Sequence, residues 1–140
     1  KELLATGEAG QVVLTWDLVR QMAATGLAEF HSHTAAHRPC DELTDEELAG
    51  SLERARSALQ MELGCASDWL CWPYGRYSTA AVRRAVASGY RYLVTTEPGM
   101  VTVATSPLAI PRLAVTEESI ADFVSGCRLS AAAMQEGASP

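Results

Sequence analysis

Basic residues are the scarcer charge in this sequence: eleven lysines and arginines stand against seventeen aspartates and glutamates, for a net charge of -6. The arginines fall singly or in pairs, with no stripe of the kind that neutralises phosphates, which argues against a nucleic-acid partner. A neutral or cationic substrate is easier to accommodate. No uninterrupted apolar run approaches the roughly 20 residues that span a bilayer, and no signal-peptide pattern opens the chain. The four cysteines, Cys40, Cys65, Cys71 and Cys127, form no CxxC pair, so zinc-ribbon and thioredoxin readings lack their spacing. Most are expected to be buried small hydrophobes, with a Cys65 to Cys71 or Cys40 to Cys71 bridge left open for an oxidising compartment. There is also no low-complexity tract or internal repeat, which excludes a fibre or solenoid.

What is present fits one globular domain: 140 residues, 48% hydrophobic and 20% charged, enough to bury a core without staples. Residues 1 to 14 show no sustained period and read as a lead-in. Thr15 caps a helix with Trp16, Val19, Met22 and Ala23 on one face, ended by Gly26. Leu27 to Ser32 reads as a short strand. Thr44 and Glu47 form a capping box ahead of a long helix striped with Leu48, Leu52, Ala55 and Leu59, running to Gly64.

Trp69 to Trp72 is the next strand, and Ser78 caps a helix through Val82, Ala85 and Val86 to Gly89. Tyr90 to Thr95 and Ile110 to Val115 follow as strands, and Thr116 caps a last helix with Glu117 and Glu118 in its first turn. Strands alternating with helices predict an α/β fold with parallel strands and right-handed crossovers. Chemistry in such sheets sits at the carboxyl ends of the strands, which puts His31 to His37, Trp72 to Gly75 and the loop after Thr95 on one rim.

All three histidines of the chain lie in His31-Ser32-His33-Thr34-Ala35-Ala36-His37. A divalent metal needs neutral imidazoles converging at about 2 Å. If the chain turns helical after the strand, His33 and His37 share a face. If His31 to His33 is extended, those two share one, making His31 a third ligand or a hydrogen-bond partner of a ligand. The alternative is a surface turn that binds nothing. A two-histidine site wants a carboxylate to complete a hydrolytic centre. Asp41 and Glu42 are close in sequence, but they follow Pro39 into a capped helix and are expected to be solvated. Trp72-Pro73-Tyr74-Gly75 reads as a rigid turn that holds Tyr74 firmly, or as an ordinary turn with Trp72 in the core.

Together, the segment Gly26 to His37, Thr15-Trp16 before it and Trp72-Pro73-Tyr74-Gly75 after it resemble the polysaccharide deacetylase family (carbohydrate esterase family 4, the NodB-homology domain). The resemblance spans about residues 15 to 115. It implies a partial or distorted (β/α) barrel over 15 to 130, with 131 to 140 as a flexible tail. In that family a Ser-His-Thr-x-x-His motif supplies two metal ligands, which carries over to His33 and His37 and implies zinc, with cobalt or nickel as alternatives. A Pro-Tyr-Gly motif lines the substrate groove and gives a backbone N–H to the oxyanion, which carries over to Trp72, Pro73 and Tyr74, with the N–H of Tyr74 in the catalytic role.

Ile110-Pro111-Arg112-Leu113 looks like the Ile-Pro-Arg strand of members acting on poly-N-acetylglucosamine-type polymers, which implies that Arg112 enters the site to orient a carboxylate or keep the catalytic base ionised; the alternative is a surface arginine after a turn proline. The implied partner is an acetylated polysaccharide, and the implied location is extracytoplasmic. Oligomeric state is left open.

The sequence departs from the family pattern in three places. No Thr-Phe-Asp-Asp strand, the source of the catalytic base and third ligand, occurs between Lys1 and Leu14. No histidine follows His37 to serve as the late general acid. Cys71 or Leu70 stands where many members carry an arginine. A piece whose first strand and aspartates lie upstream of Lys1 is the favoured expectation. A carbohydrate-binding domain without turnover and a purely structural metal clip are the competing readings.

Overall fold

A computed structural model describes residues 13–114 and 123–125. Helix α1 (Trp16–Ala24) starts where Thr15 Oγ1 accepts the Leu18 N–H, and the chain leaves it through Gly26 at φ 71°. Of its apolar stripe only Val19 is buried; Trp16 and Met22 remain about two-fifths exposed. Helix α2 (Asp45–Leu63) has the full capping box, Thr44 and Glu47 satisfying each other's backbone N–H, and ends at Gly64 in the left-handed region. Helix α3 (Thr79–Ala87) is capped by Ser78.

Strands β1 (Trp69–Cys71), β2 (Tyr92–Pro98) and β3 (Ile110–Arg112) form one sheet in that order, with both pairings parallel. The α/β architecture with parallel strands is therefore as the helix–strand alternation predicts. Leu70 and Leu93 are cross-strand partners with no exposed surface, and α2 and α3 pack over them through Leu48, Leu52, Ala81 and Ala85. Each such leucine contributes about 1.5–3 kcal/mol of burial. Trp69 and Tyr92 stack on the opposite face with ring centroids 4.4 Å apart.

Several boundaries differ from expectation. Leu27 to Ser32 is not a strand: Ser32 alone pairs, donating its N–H to the Trp69 carbonyl and accepting from the Cys71 N–H. A three-residue β1 offers its neighbour a single closed register, so the rest of the segment has no ladder to join. β2 begins at Tyr92 because the Tyr90 N–H is used by the Ala85 carbonyl at the end of α3. Tyr90 is instead a core residue, its hydroxyl bonded to Ser32 Oγ at 2.7 Å and to the Leu52 carbonyl at 3.1 Å. The helix expected from Thr116, the end of the strand expected to reach Val115, and the 131 to 140 tail lie outside the described residues. Residues 123–125 are helical.

Candidate metal centre

His33 and His37 are brought together by a bent loop and not by a helical turn. Thr34 and His37 both adopt positive φ, 65° and 48°, a region costing L-residues roughly 1–2 kcal/mol each. The bend is held from below by buried Ser51 of α2, whose Oγ accepts the N–H groups of Ala35 and Ala36 at 3.2 Å each. Thr34 Oγ1 accepts the His37 N–H at 3.1 Å. The strain is thus offset by hydrogen bonds from outside the motif.

The pair that results has a definite polarity. His33 Nδ1 lies 2.7 Å from the Cys71 carbonyl at the end of β1. A carbonyl only accepts, so Nδ1 carries a proton, and in the neutral ring Nε2 presents a lone pair. His37 Nε2 faces that lone pair at 3.1 Å, and His37 Nδ1 is 3.3 Å from the Tyr74 hydroxyl. Two nitrogens bound to one ion at about 2 Å stand about 2.9–3.4 Å apart for bond angles between square and tetrahedral. The two imidazoles fit a shared divalent ion. Among the described residues no group of three or more histidine, cysteine, aspartate or glutamate side chains converges to hold a metal.

His31 takes no part. Its Nδ1 is 3.0 Å from Ser67 Oγ, its Nε2 is 3.4 Å from Glu29, and its ring lies against Trp69. These partners sit at the opening of β1, whereas His33 sits at its close, so the expectation of a third ligand or a ligand's partner is corrected.

Trp72, Pro73, Tyr74 and Gly75 form a single 3-10 turn at the same rim, closed by Gly75 N–H to Trp72 O and Arg76 N–H to Pro73 O, both 3.0 Å. Tyr74 has φ 58° and its ring is 62% exposed beside His37. Its backbone N–H has no hydrogen-bond acceptor among the described residues. Gly75 is required: at φ 66° a Cβ would meet Thr96 Oγ1 at 1.9 Å. Trp72 and Pro73 are fully buried, so their side chains do not line a groove. Trp72 stacks on Tyr77 at 5.1 Å instead, its Nε1 without a partner among the described residues.

Arg112 is exposed at the carboxyl end of β3, its Nε donating to the Thr95 carbonyl at 2.6 Å. Two strand spacings, about 10 Å, separate β3 from β1. Arg112 shares the rim, but no hydrogen bond joins it to either histidine among the described residues.

Two contributors went unseen in the sequence. Ser51 is one, hidden because a serine in mid-helix gives no local signal of a partner sixteen residues upstream. Arg76 is the other: it binds Asp41 at 3.0 Å and Glu42 at 2.7 Å, and both partners hold its guanidinium pKa above the ordinary value. Asp41 and Glu42 are therefore not simply solvated. They tie the loop after His37 to the turn after Tyr74, an attachment reinforced by Cys40 N–H to Arg76 O at 3.1 Å. Burial, with Asp41 nearby, pushes the Cys40 thiol up to about 11. Cys40, Cys65 and Cys71 are all free thiols, so neither bridge considered from the sequence is present; Cys40 is buried, Cys71 half-buried and Cys65 exposed.

Elsewhere, a cavity of about 740 Å³ opens between α2 and α3, lined by residues including Arg56, Gln60, Met61 and Arg84, away from the histidines. No helix among the described residues is long and apolar enough to cross a membrane.

The geometry agrees with what the chain is similar to. The polysaccharide deacetylase family model matches residues 4–93. A Bacillus subtilis protein assigned to the polysaccharide deacetylases, YxkH, is 28% identical over 86 residues, 61% of this chain and 30% of that protein. Among solved structures, the Streptococcus pyogenes deacetylase PplD in complex with acetate superposes with a TM-score of 0.75 at 21% identity, covering 81% of this chain and 50% of that one. A de-N-acetylase from Aggregatibacter actinomycetemcomitans gives 0.69 at 20% identity, covering 82% and 53%. The chain thus spans about a third to a half of the length of these relatives, and its sheet and helices are part of their (β/α) barrel. Matched by the family model over residues 4–93, and sharing the fold of these structures over 81% of its length, the chain belongs to the polysaccharide deacetylase family.

Proposed function

We propose that this chain supplies the histidine half of a metal-dependent centre that removes N-acetyl groups from a polysaccharide of the poly-N-acetylglucosamine, chitin or peptidoglycan class. Extracytoplasmic placement belongs to the same reading, since such polymers lie outside the cytoplasm. The observation that carries it is the facing of His33 Nε2 and His37 Nε2 at 3.1 Å, with the His33 lone pair fixed by the Cys71 carbonyl. N-acetyl chemistry is favoured by the name of the similar de-N-acetylase. O-acetyl removal is the variant reading.

A divalent ion, zinc with cobalt or nickel as alternatives, supplies Lewis-acid activation of water and of the acetyl carbonyl when bound. His33 and His37 hold it. Carboxylates from outside the described residues complete its coordination and provide the base. The Tyr74 N–H, uncommitted and held at positive φ, donates to the oxygen on which negative charge develops. The exposed Tyr74 ring offers a flat apolar wall to a sugar. Arg112, on the same rim, offers a cation able to keep a neighbouring carboxyl ionised or to orient it.

Equilibrium dialysis against zinc, cobalt and nickel tests the site: one ion per chain is expected, lost in His33→Ala. Retention of full metal content by that variant would sink the assignment. Free-amine release from chito-oligosaccharides by the metal-loaded protein supports turnover. Binding of the same sugars without amine release favours a carbohydrate-binding role.

A further inference from the structure

The Tyr74 hydroxyl stands 3.3 Å from His37 Nδ1, at the end of a line of four groups whose hydrogen bonds run in one direction. The Cys71 carbonyl fixes the far end: it accepts from His33 Nδ1, leaving the His33 Nε2 lone pair to face His37 Nε2. At 3.1 Å two bare lone pairs would repel, so without an ion between them His37 Nε2 carries a proton and donates it to His33 Nε2. In the neutral ring His37 Nδ1 is then an acceptor, and the Tyr74 hydroxyl is the donor beside it. Tyr74 O–H, His37 and His33 form a relay ending on a main-chain carbonyl, with one donor and one acceptor at every link.

Holding an ion through both Nε2 atoms reverses part of that relay. His37 must then carry its proton on Nδ1, and the side chain placed to accept it among the described residues is the Tyr74 hydroxyl. A hydroxyl can donate or accept by rotating its hydrogen, whereas a carboxylate or carbonyl would fix one direction. The proton leaves Nε2 and an equivalent one arrives at Nδ1 by exchange with water, so the pair gains and loses none.

We propose that the Tyr74 hydroxyl is a positioning residue for His37, a reversible partner that donates to Nδ1 when the two histidines are paired with each other and accepts from it when both bind an ion. This role is separate from the backbone N–H and the aromatic ring of the same residue, and it rests on the metal reading above. In the strained backbone conformation of Tyr74, φ 58°, its ring lies 4.9 Å from that of His37.

Tyr74→Phe keeps the ring, the backbone and the wall, and removes only the hydroxyl. Zinc affinity by chelator competition is expected to fall about tenfold, the lower end of the range for losing a ligand's hydrogen-bond partner. Long-range ¹H–¹⁵N spectra of the unsubstituted chain supply a readout that packing alone would not move: His37 protonated at Nε2 without zinc and at Nδ1 with it, His33 protonated at Nδ1 in both. Unchanged zinc affinity in Tyr74→Phe, or one His37 tautomer in both states, would overturn the proposal. Zinc lost in His33→Ala but held at full affinity in Tyr74→Phe removes the role of Tyr74 alone. Equal zinc binding by the unsubstituted chain and His33→Ala removes the metal reading, and the hydroxyl's role with it.

Discussion

The two ends of β1 carry the same kinds of residue to different effect. At its opening, His31 is joined to Ser67, Glu29 and Trp69, and Ser67 Oγ in turn accepts the Trp69 N–H. At its close, His33, His37 and Tyr74 are joined mainly to one another, with Thr34, His37 and Tyr74 at positive φ. A histidine beside an aromatic is common to both ends. What separates them is backbone strain held by outside contacts, together with two imidazole Nε2 atoms that face each other 3.1 Å apart. That contrast is physical, and three substitutions in addition to those above test it.

The largest effect is expected from Gly75→Ala. Its Cβ would collide with Thr96 while φ stays positive, so a loss of about 2–4 kcal/mol in urea unfolding is expected, with the Tyr74 ring displaced from His37. A loss under 0.5 kcal/mol would show that the turn relaxes freely, and the strained end would no longer differ from the relaxed one. Next is Ser51→Ala, which takes the acceptor from the Ala36 N–H and leaves the Ala35 N–H only the Ser51 main-chain carbonyl at 3.3 Å. A destabilisation of about 1–3 kcal/mol is expected, with faster amide exchange at both residues and weaker zinc binding. Protection that stays unchanged would mean that the histidine loop holds its own shape. The smallest effect is expected from His31→Ala, an exposed side chain: within about 0.5 kcal/mol in stability and no change in zinc affinity. A clear loss of zinc there would join the two ends into one site.

Elements with chemistry local to the chain were legible from sequence. The Thr44–Glu47 box, the Ser78 cap and the glycines that close helices need only neighbours three or four residues away, and α1, α2 and α3 lie close to where those signals put them. Pairing was less legible. The apolar character of Leu27 to Phe30 suggests a strand, but whether a segment joins a sheet depends on the length of its neighbour, and β1 is three residues long.

The motif residues were legible as candidates but not in their geometry. Neither Thr34, His37 nor Tyr74 is a residue type that advertises positive φ, so a helical turn was the natural expectation for the two histidines. Trp72 shows the same limit from the other side. Adjacency to Tyr74 suggested a shared groove, yet the turn sends one ring to solvent and the other into the core. Trp72 joins Leu52, Ala81 and Ala85 in one core cluster and stacks on Tyr77, a grouping that only the tertiary fold assembles.

The carbonyl of Cys71 has a consequence for how this site tolerates change. The acceptor that fixes the His33 tautomer belongs to the main chain, so no side-chain replacement at position 71 can delete it. Cysteine, leucine or arginine there would leave the same oxygen in the same place as long as β1 keeps its register with Ser32 and Val94. The orientation of that imidazole is thereby insulated from mutation at the residue that provides it, and remains vulnerable only to a slip of the strand itself.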